Sequence, residues 1–331
     1  MTSGVRRFSR WPLLLLPWLG LIVAVVLLMS SVDLAAAGRH MLAADGAMLG
    51  GALLCLPFTV LIAGIKVQRI FALADVPLSL RRVCSAVLAA ASLNMFVPGR
   101  GGDLLKAVFL MDDRRLLPKT IGLVLVERAL DVGALGMWAL TAGAFFGYRQ
   151  AALLGGATVA VTLLGMVALG ASLRLPLLGR KAVLVREALG ALRRAPLGLA
   201  VCGFLAAVTW ATNLLTLWLC LGCVGAHATM VDVVAAGPIA ILAGALPVSV
   251  SGIGTRDVVL VAMLVSRELD AERVAAGALL YTLTQSVGLP LVGLFALGRQ
   301  SLAAYRRLAV APAPEGHMSV GVSPVSPTRD I

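Results

Sequence analysis

Residues 80–111 read LRRVCSAVLAAASLNMFVPGRGGDLLKAVFLM, and the way that stretch sits decides the fold. It is apolar enough for a membrane interior, yet Pro98-Gly99-Arg100-Gly101-Gly102 divides it. Proline removes a backbone donor and glycine weakens helix, so one continuous helix does not survive there. The stretch therefore reads as two half-length helices with a bend at mid-depth, entering and leaving on one side. Irregular backbone at that depth is tolerated where protein buries it or water reaches it. Residues 231–266 repeat the plan, broken by Pro247 and then by Gly252-Ile253-Gly254.

Around these two broken stretches lie six unbroken apolar runs, at about 11–32, 47–65, 119–147, 151–173, 197–221 and 274–298. Each reaches the ~20 residues that a helix needs to cross the hydrocarbon. The first follows Arg6, Arg7 and Arg10 and is longer than the apolar core of a cleaved signal, so it reads as a span. Of the 331 residues 60% are hydrophobic and only 13% charged, against roughly a quarter charged in soluble domains. The expected fold is an all-α polytopic membrane protein with about six full transmembrane helices and two re-entrant hairpins. Residues 1–10 form a basic cytoplasmic N-terminus, 11–300 a single membrane domain, and 311–331 a disordered, Pro- and Ser-rich cytoplasmic tail.

The net charge of +12 does not indicate nucleic acid, because the bases cluster in short loops between apolar runs. With the N-terminus in the cytoplasm, cytoplasmic segments hold 20 of the 28 Lys and Arg and outer segments hold 4. That asymmetry obeys the positive-inside rule and puts both termini on the cytoplasmic side of the cytoplasmic (inner) membrane. Residues 11–147 and 151–298 share the order span, span, hairpin, span. Three crossings per half give opposite orientations, the inverted-repeat plan of many secondary transporters; coincidence of layout is the alternative. Arg174–Arg194 mixes bases with Leu and Val and reads as an amphipathic helix on the inner leaflet.

The five cysteines lie in apolar runs, and the Cys220–Cys223 pair has no second pair to complete a zinc site. Three scattered histidines support neither a metal centre nor a hydrolase, and no cofactor is indicated. Eight charges instead fall where charge is expensive: Arg100, Asp103, Lys106, Glu127, Arg128, Asp131, Arg256 and Asp257. Glu127 and Asp131 share a helical face, with Arg128 beside them. Half-helix starts near Gly101-Gly102 and near Gly252 and Gly254 offer free N–H groups to an anion. Arg100 and Arg256 stand at those starts, and guanidinium matches phosphate oxygens. The two readings are a headgroup site and a structural salt-bridge network.

Three segments carry a resemblance: Asn94 to Lys106 (NMFVPGRGGDLLK), Glu127 to Asp131 (ERALD) and Leu246 to Asp257 (LPVSVSGIGTRD). Together the chain resembles the flippase-like transmembrane family, the membrane region of lysylphosphatidylglycerol synthase/flippase proteins, over nearly its whole length to about residue 300. The resemblance implies translocation of a lipid headgroup and re-entrant helices. Its matching positions are Pro98, Gly102, Asp103, Lys106, Glu127, Arg128, Asp131, Pro247, Gly252, Gly254, Arg256 and Asp257. Asp103 and Asp257 stand where Glu is commoner and Lys106 where Arg is, which bears on headgroup preference. The sequence carries no soluble aminoacyl-transferring domain, so lysylated lipid is not the presumed cargo.

The expected function is thus non-enzymatic flipping of a phospholipid or polyprenyl-phosphate headgroup, with a lipid-modifying enzyme as a candidate partner. The alternatives are a membrane transferase acting on a lipid phosphate, a small-anion transporter, and an accessory subunit of a lipid synthase. For the transferase, the nearest acid pair is Asp112-Asp113, which reads more simply as a solvated loop end.

Overall fold

Helix starts leave N–H groups unpaired, and side chains of Asp33, Asp45, Ser79, Thr229 and Asp270 accept from them at the heads of five helices. The computed structural model describes residues 33–95, 101–111, 113–172, 179–246 and 254–294, with Val26 and Gly298 besides. Apart from Val26, the expected first span lies outside them, as does the C-terminal tail. The helices, in order, are α1 (Leu34–Leu42), α2 (Gly46–Ala72), α3 (Leu80–Asn94), α4 (Gly102–Leu110), α5 (Leu117–Phe146) and α6 (Arg149–Ser172). There follow α7 (Gly179–Arg194), α8 (Pro196–Cys223), α9 (Met230–Ala245), α10 (Thr255–Val265) and α11, which begins at Ala271. The last continues through a π-helical segment, Leu283–Gly288, to Leu294.

Every regular element among the described residues is helical. Five of these helices, α2, α5, α6, α8 and α11, are long and apolar enough to cross a membrane. Their outer faces expose Leu54, Phe58, Phe145, Leu153, Leu164 and Phe204, the pattern of helices bathed in lipid rather than water. The chain is an all-α polytopic membrane protein.

The two broken stretches form helix pairs as expected. At ~1.5 Å per residue neither α3 nor α4 is long enough to span alone. Arg82, in the first turn of α3, donates to the carbonyls of Phe109 and Met111 at the end of α4, at 3.2 and 2.9 Å. The start of one helix and the end of the other thus lie side by side. In the second pair, Arg267 after α10 approaches Asp232 in the first turn of α9 at 3.9 Å.

Two apolar cores hold the helices together. One joins α2, α3, α4, α5 and α7 through Ile70, Phe71, Val83, Leu110, Leu123 and Leu192 and reaches Cys202 of α8. The other joins α8, α9, α10 and α11 through Leu214, Leu221, Ile241, Leu260, Leu264 and Tyr281 and takes in Ala52 of α2 and Leu135 of α5. Helix α2 packs along α8. Small residues bring α5 and α6 close: a Cβ at Gly143 meets the backbone of Ala152, and one at Gly136 lies 3.1 Å from Thr158.

Two expectations need correction. The second span does not stop at 65; α2 runs to Ala72 because Val67, Ile70 and Phe71 continue its buried face. Lys66 therefore sits inside a helix and not in a cytoplasmic loop. Helix α7 does not simply float on a leaflet, since its apolar side, with Ala188 and Leu192, is buried against protein, chiefly α5.

Candidate intramembrane charged site

The face of α5 that carries Glu127, Arg128 and Asp131 turns inward, and both acids are buried. Arg128 gathers three carboxylates: Asp103 of α4 at 2.9 Å, Glu127 at 2.6 Å and Asp131 at 2.8 Å. Lys106, one turn along from Asp103, donates to both oxygens of Glu127 at 3.0 and 2.8 Å. Lys66 reaches in from α2, donating to Asp131 and lying 3.4 Å from Glu127. Three bases and three acids are interlocked here, with Lys66 and Lys106 almost wholly enclosed. Such charges persist inside a membrane only when paired and hydrogen-bonded.

A second cluster stands on the other half. Arg256 of α10 pairs with Asp257 at 3.2 Å and donates to Thr282 and, at 3.4 Å, to Ser286. Its guanidinium lies 4.8 Å from the centre of the Tyr281 ring, a cation–π contact. Asp257 also accepts from the Gly254 N–H at 3.1 Å and from Thr282 at 3.0 Å. Gly254 holds a φ of +84° at the head of α10, a conformation that favours glycine. The positive end of α10 is thus already met by its own Asp257.

Both clusters face one cavity of about 160 Å3. Its charged wall consists of Lys66, Asp103, Lys106, Glu127, Arg128, Asp131 and Arg256. The uncharged wall includes Thr59, Asn94, Thr209, Asn213, Gln285 and Ser286. Gln285 donates to Asn213 at 2.9 Å, fixing that side. Arg128 Nε, a donor, and Asn94 Oδ1, an acceptor that faces Gly102, are buried without a hydrogen-bond partner among the described residues. Arg128 is also the most exposed charged side chain of the network, at 27%. That exposed part of Arg128 is what a polar ligand would engage.

Residues 16–293 match the sequence profile described as the lysylphosphatidylglycerol synthase TM region. The chain belongs to that family. No curated protein matches the chain. Within this member of the lysylphosphatidylglycerol synthase TM-region family, the expected site residues divide into three groups. Asp103, Lys106, Glu127, Arg128, Asp131 and Arg256 line the cavity. Gly101, Gly102, Gly254 and Asp257 stand behind it: a Cβ at Gly102 would lie 2.7 Å from Ala90 O and Asn94 N, so this glycine lets α4 close on α3. Arg100, Gly252, Pro98 and Pro247 fall outside the described residues, as does Asp112. Asp113 accepts from Arg115 N at 2.9 Å and caps a short turn.

Lys66, Thr282 and the uncharged wall are additions that sequence reading missed. Their signal is positional: Thr59, Ala63 and Lys66 recur at spacings of four and three on one face of α2.

Proposed function

We propose that this protein moves a phospholipid headgroup across the cytoplasmic membrane through the charged cavity while the acyl chains stay in lipid. It does so without making or breaking a covalent bond. The observation that carries the reading is a polar, charge-lined cavity faced by the partly exposed side chain of Arg128. Phosphate oxygen is the natural acceptor for a guanidinium. The family description, which concerns a phosphatidylglycerol derivative, supports a phospholipid over a polyprenyl phosphate. In this reading the termini lie in the cytoplasm, and the halves rock about the α2–α8 contact to expose the cavity to each leaflet in turn.

The test is reconstitution in vesicles carrying headgroup-region fluorescent phosphatidylglycerol, followed by bleaching of the outer leaflet with a membrane-impermeant reductant. Wild type should render the inner-leaflet label accessible, and Arg128→Ala should not, at equal protein incorporation. Inhibition by polyprenyl phosphate in place of phospholipid would transfer the assignment to that cargo. Entry of inorganic phosphate without lipid movement would favour a small-anion transporter, and a new lipid product would favour a transferase.

A further inference from the structure

A second cavity, of about 240 Å3, adjoins the charged one, and its walls are apolar: Leu104 of α4, Val132 and Leu135 of α5, and Ile241, Leu242 and Ala245 of α9. Asp103, Arg128, Asp131 and Trp210 line both spaces. The arrangement is therefore a polar chamber and an apolar chamber meeting at Arg128. The apolar chamber lies between helices of different hairpins, α4 from the first and α9 from the second. Leu104 on its wall is almost half exposed, as is Leu246, which follows Ala245, so the chamber's rim continues onto the lipid-facing surface.

We propose that this chamber binds the upper part of one acyl chain of the phospholipid whose phosphate reaches Arg128, making the gap between α4 and α9 the route by which that chain stays joined to lipid. The inference rests on the headgroup reading above and adds to it the path of the tail. Three features carry it. The two chambers share a wall at Arg128, the most exposed charged side chain of the network. Apolar side chains gain nothing from a free phosphate ion, but they gain from every methylene they cover. An amphiphile with its charge at one end is the ligand that satisfies both chambers at once.

The experiment uses full-length protein in vesicles containing phosphatidylglycerol with a diazirine on the upper third of one chain. Illumination and peptide mapping read where the chain lies. Adducts are expected on the peptides holding Val132–Leu135 and Ile241–Ala245. Ala245→Trp, which fills the chamber, should reduce those adducts about tenfold, the worth of excluding about two methylenes. Leu153→Trp on the outer face of α6 should leave them unchanged. Should Ala245→Trp fail to fold, the wild-type map alone decides.

Adducts confined to α6 and other outward faces, with phospholipid retained by wild type and lost in Arg128→Ala, would overturn the chain route and leave the headgroup site standing. The same outward adducts, with equal retention in both proteins, would overturn both. Displacement of the α5 and α9 adducts by polyprenyl phosphate, but not by unlabelled phosphatidylglycerol, would overturn the acyl assignment.

Discussion

A lysine inside an apolar helix carries a cost of about 2.5–3.5 kcal/mol at the bilayer centre unless acids meet it. Lys66 is met by two, Asp131 and Glu127. Removing one partner of a buried pair leaves the other uncompensated, a loss of about 3–5 kcal/mol. Lys66→Met should therefore lower the unfolding midpoint in detergent or nanodiscs, and adding Asp131→Asn should recover most of the loss. A single variant that melts like wild type would show the pair to be energetically idle. The inward face of α5 was legible because Glu127 and Asp131 are one turn apart in a run otherwise apolar. Lys66 was not, because the apolar run ends at Ile65 and Lys66, Gln68 and Arg69 follow it; only the Thr59-Ala63-Lys66 face reveals that the helix goes on.

The first hairpin is held by close packing at Gly102 and by Arg82 at its mouth, the second by charge at its mouth. In the first, α4 lies so close to α3 that Gly102 cannot gain a side chain without moving the backbone of Ala90 or Asn94. Gly102→Val should cost about 1–3 kcal/mol through overpacking and abolish transport, read as a drop in both thermal midpoint and flux. Preserved flux at a lowered midpoint would separate the bend from the function. In the second, the mouth is held by Asp232, which accepts from Thr229 and Tyr148 and forms a looser ion pair with Arg267, whose guanidinium lies 4.5 Å from the Tyr148 ring centre. Burial pushes the Asp232 carboxyl up, but those hydrogen bonds outweigh it and hold the group below the usual carboxylate range. Its stabilisation is fully present above the unfolded-state value of about 4 and is lost as pH falls through the lowered one. Tyr148→Phe removes one donor, so the variant should start less stable at pH 7 and lose less between pH 5 and 2 than wild type; an identical acid profile would assign the hold to Thr229. Proline and glycine marked from sequence alone where each stretch divides into two helices, while the bends themselves lie outside the described residues. The mouths were silent, since Arg82, Tyr148 and Arg267 look like ordinary loop-edge residues until their distant partners are known.

At the scale of the whole molecule, buried polar groups from helices early and late in the chain collect around one cavity. The halves also touch elsewhere: Ser92 of α3 donates to Pro290 O in α11 at 2.6 Å, and a Cβ at Gly293 would come within 2.5 Å of Ser92 Oγ. Gly293 has no room for a side chain, since its Cβ would also meet Leu88 O at 2.3 Å, so Gly293→Ala should press α3 and α11 apart and lower both the thermal midpoint and the flux. Wild-type values for both would show that this contact is not needed. Where the helices divide was readable from break positions; the meeting of α3 with α11 was not, because it depends on how two distant helices cross. That contact is downstream of the π-helical segment, Leu283–Gly288, which contributes Gln285 and Ser286 to the cavity. A π turn holds one residue more than the α turn it replaces. Deleting one residue there should swing Leu289–Leu294 by about 100° about the axis, carrying Pro290 off Ser92 while Thr282 stays with Arg256. The segment is a phase adjuster: α11 can re-aim its far end without unwinding, as a spare link lets a chain be re-timed on its sprocket.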